Sequence, residues 1–475
     1  MLLPSRAYNF WLSLALLAAR SVSARPAHGS SSLLVVLDTS EIQKEQYTKF
    51  WAILEARGFS LTFRDARNTS PSPAELLTKY EDKQYDGLVL FAPSLKTLPP
   101  DLSPQAIFSF LTTTSPTSAP GSLLIALSPS LSETYRDFAR EFSIQFDERD
   151  TTLYDPLHTS IEAGLYAVDV PTNLTFTSSP VFDGLCTVVS SATKRLNLPI
   201  RYSGPVHQAT DIPLLLPLLR APSTSFPIEA KASSGSSGIA LVEGGPLVSG
   251  EAAKLVSAFQ TRMNSRVLFS GSIALFSDTY WTTETSNQPF VNDITKWLWN
   301  EKNVVKILEA KHYKTNDETK KMREQYRIGE EMTYEIVLSS YENDRWTAPS
   351  TLHDLQLEVT MLDPHLRVPL IPSTSFISRS STNRTYTATF RLPDRHGVFT
   401  LLFDYRRQGM TWLEHKMQMS ITPLRHDEYE RFITGAWPFY ATAASIIVAW
   451  LAFTTIWMSI TEDKPDKANK EAKIQ

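Results

Sequence analysis

The chain has almost no cysteine: Cys186 is the only one in 475 residues. An intramolecular disulfide is therefore impossible, and a C-x-x-C pair cannot exist, which excludes a zinc ribbon and a thioredoxin-like redox site. Cys186 lies in the apolar run Leu185-Cys186-Thr187-Val188-Val189 and reads as a small buried hydrophobe. Without cross-links, the core must be large enough to hold itself. The catalytic vocabulary is equally thin. G-x-x-x-x-G-K-[ST], G-x-S-x-G, H-E-x-x-H and the D-x-D triplet of metal-dependent glycosyltransferases are all missing. Nine histidines are scattered, and the separation of His353 from His365 fits no metal spacing. The acidic group Asp147-Glu148-Arg149-Asp150 reads as a solvated loop after a helix. Catalytic residues, cofactor and metal are accordingly all expected to be none. Charge of one sign is also scarce: 46 basic and 50 acidic residues give a net charge of −4, with both signs interspersed, so no nucleic-acid surface is indicated.

Two apolar segments are present. Arg6, the apolar stretch 7–19 and the small residues of Val22-Ser23-Ala24 have the order of a secretory signal peptide cleaved after Ala24. Near the other end, no charge interrupts residues 432–460. Its core, 436–458, would make about 34 Å of helix, enough to cross a hydrocarbon layer of about 30 Å. Trp437 and Tyr440 stand at one end of it and Trp457 at the other, where interfacial aromatics belong. Lys464, Lys467, Lys470 and Lys473 follow the helix. This bias predicts a single-pass type I protein with its N-terminus in the lumen of the secretory pathway. Asn68, Asn173 and Asn383 begin N-x-S/T sequons on that side and are candidate glycan acceptors. Within the span, Ala441, Ser445 and Ala449 recur every four residues, so one helical face is small enough for another helix to approach.

Between these segments the pattern changes twice. Residues 25–150 alternate apolar runs (33–37, 61–63, 88–91, 123–127) with helical stretches, the order of a doubly wound α/β sheet. Ser40 with Gln43 has the spacing of a capping box for the first helix, which Gly58 ends. The first β-α turn, Asp38-Thr39-Ser40, has no glycine and so lacks the phosphate cradle of a nucleotide site. Residues 151–315 form a second α/β region, which can share a sheet with the first. It holds a proline-rich stretch, a Ser/Gly loop at 233–238, a helix at 252–263, a strand at 266–270, and a helix carrying Trp297 and Trp299. From about Met332 the period becomes two: 334–338, 355–359, 386–390, 398–403 and 417–421 predict a β-sandwich within 316–424. A juxtamembrane segment (425–435), the membrane helix (436–458) and a cytosolic tail (459–475) complete the division.

Four segments, in order along the chain, carry a resemblance. They are Arg57-Gly58-Phe59-Ser60-Leu61-Thr62-Phe63; then Arg266-Val267-Leu268-Phe269-Ser270-Gly271-Ser272 with Phe276-Ser277-Asp278; then Gly397-Val398-Phe399 with Asp404-Tyr405-Arg406. The most specific runs from Ile421-Thr422-Pro423-Leu424-Arg425-His426-Asp427-Glu428-Tyr429-Glu430-Arg431-Phe432 to Pro438-Phe439-Tyr440. By these the chain resembles the 48-kDa (WBP-type, beta) subunit family of oligosaccharyltransferase. The resemblance implies a Rossmann/flavodoxin-like, GIFT-like lumenal α/β domain, a β-sandwich and one C-terminal transmembrane helix. It also implies a non-catalytic subunit of the endoplasmic reticulum membrane. The implied partners are a catalytic many-helix subunit, ribophorin-type subunits and a small defender-against-death-type subunit, with no cofactor. Some members end in a dilysine signal; here Lys473 fills the −3 position but Ala472 stands at −4, so residence is expected from assembly rather than from the tail. Two other functions suit the residues alone: a membrane-anchored glycan-processing hydrolase, and a type I cargo or lectin-like receptor.

Overall fold

The computed structural model describes residues 32–68, 71–79, 82–113, 121–162, 165–175, 198–230, 242, 245–342, 345–350, 352–373, 382–429, 431 and 433–460. The expected leader at 1–24, Cys186, the expected Ser/Gly loop at 233–238 and the residues around Lys473 lie outside the described residues.

A nine-stranded mixed sheet forms the first part. Its strands are β1 (Ser32–Leu37), β2 (Ser60–Asp65), β3 (Gly87–Phe91), β4 (Ser122–Ala126), β5 (Ile144–Phe146), β6 (His207–Ala209), β7 (Leu215–Arg220), β8 (Lys254–Gln260) and β9 (Arg266–Ser270). The order is β2-β1-β3-β4-β9-β8-β6-β5, with β7 also paired to β8. Strands β2, β1, β3, β4 and β9 run parallel, and the remaining pairings are antiparallel. Strands from both sides of residue 150 thus share one sheet.

The parallel strands are apolar without alternation because both faces are covered. On one face Leu33, Val35, Val89, Phe91 and Leu268 pack against helix α1 (Thr48–Ala56), through Phe50, Trp51 and Leu54. On the other face Leu34, Val36, Leu88, Leu90 and Phe269 meet α2 (Pro104–Thr112) and α3 (Glu133–Arg140), through Ile107, Phe110, Tyr135 and Phe138. Helix α4 (Asn287–Leu298) returns to the first face with Phe290, Ile294 and Trp297.

Two expectations are corrected here. The helix expected at 252–263 is strand β8. Its run Lys-Leu-Val-Ser-Ala-Phe-Gln is buried on both faces, so it has no strand-like alternation, and a short apolar run cannot be assigned by period. The capping box does not form. Ser40 Oγ donates to Asp38 Oδ1 instead, at 2.6 Å. The α1 N-terminus is satisfied from far away: Asp278 accepts the amides of Thr48 and Lys49 at 2.8 and 2.9 Å. A carboxylate there also meets the positive end of the helix dipole.

The second part is β-rich. It comprises β10 (Val304–Lys314), β11 (Gln325–Arg327), β12 (Glu331–Glu342), β13 (Arg345–Thr347), β14 (Gln356–Met361), β15 (Asp363–Pro369), β16 (Ile371–Pro372), β17 (Arg384–Arg391), β18 (Gly397–Tyr405) and β19 (Leu413–Thr422). One sheet has the order β10-β12-β17-β16, with β13 on β12; the other is β11-β19-β18-β14-β15. Inward residues of both, including Tyr334, Ile336 and Leu338 with Leu357, Phe399, Leu401 and Phe403, belong to one apolar cluster. One apolar helix, α5 (Trp437–Ser459), follows; none of its residues is buried in the chain, and Thr434–Ser459 is long and apolar enough to span a membrane.

The two parts are tied through Arg266, which is fully buried. Its guanidinium donates to the carbonyls of Trp297, Lys302 and Asn303 and lies 4.8 Å from the Trp297 ring centroid. Trp297 Nε1 in turn donates to Gly409 O at 2.9 Å, in the loop between β18 and β19. Arg266→Met removes the donors and strands three carbonyls, each worth about 1–3 kcal/mol when left unpaired in the interior. The expected outcome is a stability loss of roughly 3–5 kcal/mol in urea unfolding, of the size seen when a buried charge network is broken. Limited proteolysis should also cut near 300–303 below the main transition. Arg391→Met, at an exposed arginine, should change stability by less than about 0.5 kcal/mol.

Candidate functional site

In a sheet whose strand order reverses at β1, ligands enter the crevice at the carboxyl ends of β1 and β3. Here that crevice is built around Asp38, the residue after β1, which is fully buried. Three strand ends converge on its carboxylate. Arg67, after β2, donates through Nε and Nη2 at 3.0 Å each to the two oxygens. Ser94, after β3, donates to Oδ2 at 3.1 Å. Ser40 donates through its amide and its hydroxyl to Oδ1. Burial would raise the Asp38 pKa, but these bonds outweigh it and hold the group at about 2. Nearby on α3, burial and then the Asp38 charge push the Tyr135 phenol well above its ordinary value.

The consequence is chemical. In a nucleotide-binding turn, the loop amides point at a phosphate. In this one the Ser40 amide points at the chain's own carboxylate, whose charge is already matched by a bidentate guanidinium. The crevice is filled from within, in keeping with a turn that has no glycine.

A serine–histidine contact, which no motif announced, occurs elsewhere. His207 Nε2 and Ser257 Oγ lie 2.7 Å apart. Both residues are fully buried, and the Phe146 ring packs on the imidazole. Burial, with the Lys254 charge behind it, lowers the His207 pKa to about 3, so the ring is neutral. A hydroxyl sealed between sheet strands cannot meet a substrate, and the contact is a core pair that satisfies the Nε2 side of the imidazole. The acidic group at 147–150 also differs from expectation: Asp147 is buried, and the group follows strand β5 rather than a helix. Burial raises the Asp147 pKa. His353 and His365 are exposed and fall at opposite ends of β14. Among the described residues, no group of three or more His, Cys, Asp or Glu is placed to hold a metal ion.

Of the sequon asparagines, Asn173 and Asn383 are exposed and Asn68 is half-buried, its carbonyl accepting from Arg64 at 3.2 Å. Ala441, Ser445 and Ala449 lie along α5, all exposed, with Ser445 Oγ turned back onto the Thr442 carbonyl at 2.8 Å.

Among the described residues these features define a protein with one apolar helix long enough to span a membrane, a mixed-sheet body whose strand ends converge on Asp38, and a β-rich unit between body and helix. The particular assignment comes from its relatives. Residues 23–301 match the family described as OST48, N-terminal domain, and residues 312–461 match the OST48 middle domain. The chain belongs to the OST48 family. It is similar to the dolichyl-diphosphooligosaccharide–protein glycosyltransferase 48 kDa subunit of Drosophila melanogaster, with 30% identity over 458 residues, covering 93% of this chain and 94% of that one. The proteins of the same name from Danio rerio and Caenorhabditis elegans are 28% and 29% identical, covering 91% and 92% of this chain and 93% of each relative.

The Asp38 cluster predicts a pH dependence. A carboxylate held at about 2 in the folded chain against an ordinary value of 3.8 contributes stability above the ordinary value. That contribution is lost as pH falls through the folded value. Asp38→Asn should therefore lower the melting temperature at pH 7, with the gap from the parent narrowing steadily below pH about 4. A gap that is the same at both ends of a pH-dependent melting series would show that the charge does not act.

Proposed function

We propose that the chain is a non-catalytic subunit of the oligosaccharyltransferase complex, supporting its assembly and its activity in moving a dolichol-linked glycan onto asparagine of N-x-S/T sequons. The observation that carries this is the end-to-end similarity to proteins named as 48 kDa subunits of that transferase. The closed Asp38 crevice and the sealed His207–Ser257 pair support a structural over an enzymatic role. Catalysis then belongs to a separate many-helix chain, with ribophorin-type and small defender-against-death-type subunits as further partners.

The same reading places the protein in the endoplasmic reticulum membrane as a single-pass type I chain, after removal of residues 1–24. The lysines after α5 support that orientation. Both parts before the anchor are then lumenal, and Asn68, Asn173 and Asn383 can meet the transferase. Helices on both faces support a Rossmann/flavodoxin-like, GIFT-like reading of the mixed sheet. The shared cluster supports a β-sandwich within 316–424. Ala441, Ser445 and Ala449 are the face of α5 on which a partner helix would pack.

Extraction in a mild detergent should recover a polytopic glycosyltransferase with this protein, and its depletion should leave sequons of secretory proteins under-occupied. A chain that runs as a monomer, with occupancy unchanged on depletion, would sink the proposal. Leucine at 441, 445 and 449 together should weaken co-purification while leaving membrane insertion intact. Undiminished co-purification would show that this face is not the docking face.

A further inference from the structure

The turn between β14 and β15 holds Leu362, whose side chain is wholly exposed and whose φ is +67°. A bulky residue in the left-handed region costs about 1–2 kcal/mol. Among the described residues nothing offsets it, because the side chain covers no other group. Thr360 pairs with Thr400 in the last pair of the β14–β18 ladder, so Leu362 and Val398 both lie beyond it at the same end of the sheet. Val398 is 60% exposed on the outer face, while its neighbour Phe399 points into the core. Both are exposed apolar side chains at one end of the sheet.

That end is the one facing the anchor. Val398 pairs with Ser420 and Gly397 with Ile421, near the end of β19, the strand that leads toward α5. The chain beyond is held close beneath it. Arg327 donates to the carbonyl of Pro423 and pairs with Glu428 at 3.3 Å, and Glu428 accepts the Arg425 amide at 2.9 Å. Residues 429–433 alone then separate Glu428 from the helical segment that starts at Thr434, a reach of at most about 21 Å. Tyr429 and Ile433 in that connection are exposed. Exposed Arg391, Arg395, Arg425 and Arg431 stand at the same end, with Asp394 and Asp427 among them.

We propose that this end of the β-rich unit is a second membrane contact, with Leu362 and Val398 seated among the lipid headgroups of the leaflet from which α5 emerges. Exposed apolar side chains with arginines at the same end suit that layer, where acyl carbon and phosphate lie within a few ångströms of each other. A short tether alone would leave the body free to swivel over the membrane. A second contact some strands away from the tether fixes its tilt.

The test uses the full-length chain in nanodiscs of phosphatidylcholine and phosphatidylserine. A nitroxide is placed by Leu362→Cys, with Met263→Cys, an exposed site on the mixed-sheet body, as the reference. The parent, labelled only at Cys186, gives the background. Collision rates with molecular oxygen and with a water-soluble nickel chelate are read by power saturation. The expected result is an oxygen-to-nickel ratio several-fold higher at 362 than at 263, reduced when Val398→Asp is added. Both positions are exposed, so neither change disturbs the core. Equal ratios at 362 and 263 would overturn the proposal. So would protection of 362 from both reagents, which would mean that protein, a partner or a second copy, covers that end of the sheet.

Discussion

The architecture depends on one buried cation. The Arg266 guanidinium sits where β9, α4 and the two residues before β10 meet, and it replaces its lost water with three carbonyls and the Trp297 ring. Taking a guanidinium out of water is unfavourable by several kcal/mol unless acceptors in the protein replace that water. The compensation requires α4 to end where it does, so that Trp297 O, Lys302 O and Asn303 O all turn inward. It also positions the Trp297 indole, whose Nε1–H holds the Gly409 carbonyl of the β-rich unit. Beside it Gln260 donates to Met410 O, and Asn264 both donates to Trp412 O and accepts its amide. The passage between the units is thus a hydrogen-bonded joint, cooperative with the core of the mixed sheet, rather than a linker.

The segments that mark the family fall on ties of this kind. Asp278 satisfies the start of a helix some 230 residues earlier, and Phe276 packs on Phe50 and Phe91 at 5.1 and 5.4 Å. Arg57 is paired with Glu301 in the interior, and Gly58 takes the left-handed φ of +93° that ends α1. Gly397, at φ +145°, lets the start of β18 pass close to the Met361 sulfur.

Much of this was legible in the sequence because burial leaves a periodic trace. The β-rich unit showed alternation, as in β18, where every second residue from Phe399 to Tyr405 is buried. Strands β1, β3, β4 and β9 showed unbroken apolar runs because helices cover both faces. The same double burial hid β8, which reads as well for a helix as for a strand. What could not be read were contacts between residues far apart. Ser40 had the spacing of a cap, but Asp38 two residues away took its hydroxyl, and the true cap was Asp278. The turn after β1 was read for its missing glycine, yet no local pattern showed that Arg67 and Ser94 would converge on Asp38. His207 and Ser257 lie 50 residues apart and share no motif.

The anchor completes the same logic at a different interface. Helix α5 buries no side chain against the rest of the chain, so the chain itself does not determine how the helix is rotated about its axis. In a bilayer, apolar side chains gain nothing by leaving lipid, and rotation is settled by close packing of small residues and by what the helix ends are tied to. Rotation about α5 can therefore reach the β-rich unit only through residues 429–433. That connection is short, and its upper end is fastened to the sheet by Arg327 through Pro423 and Glu428. A partner helix that fixes the rotation of α5 would restrict the swing of that unit, and the Arg266 joint would pass the restriction on to the mixed-sheet body. The single helix, by sequence a span with one face of small residues, follows in the structure a connection whose upper end is fastened to the β-rich unit by Arg327.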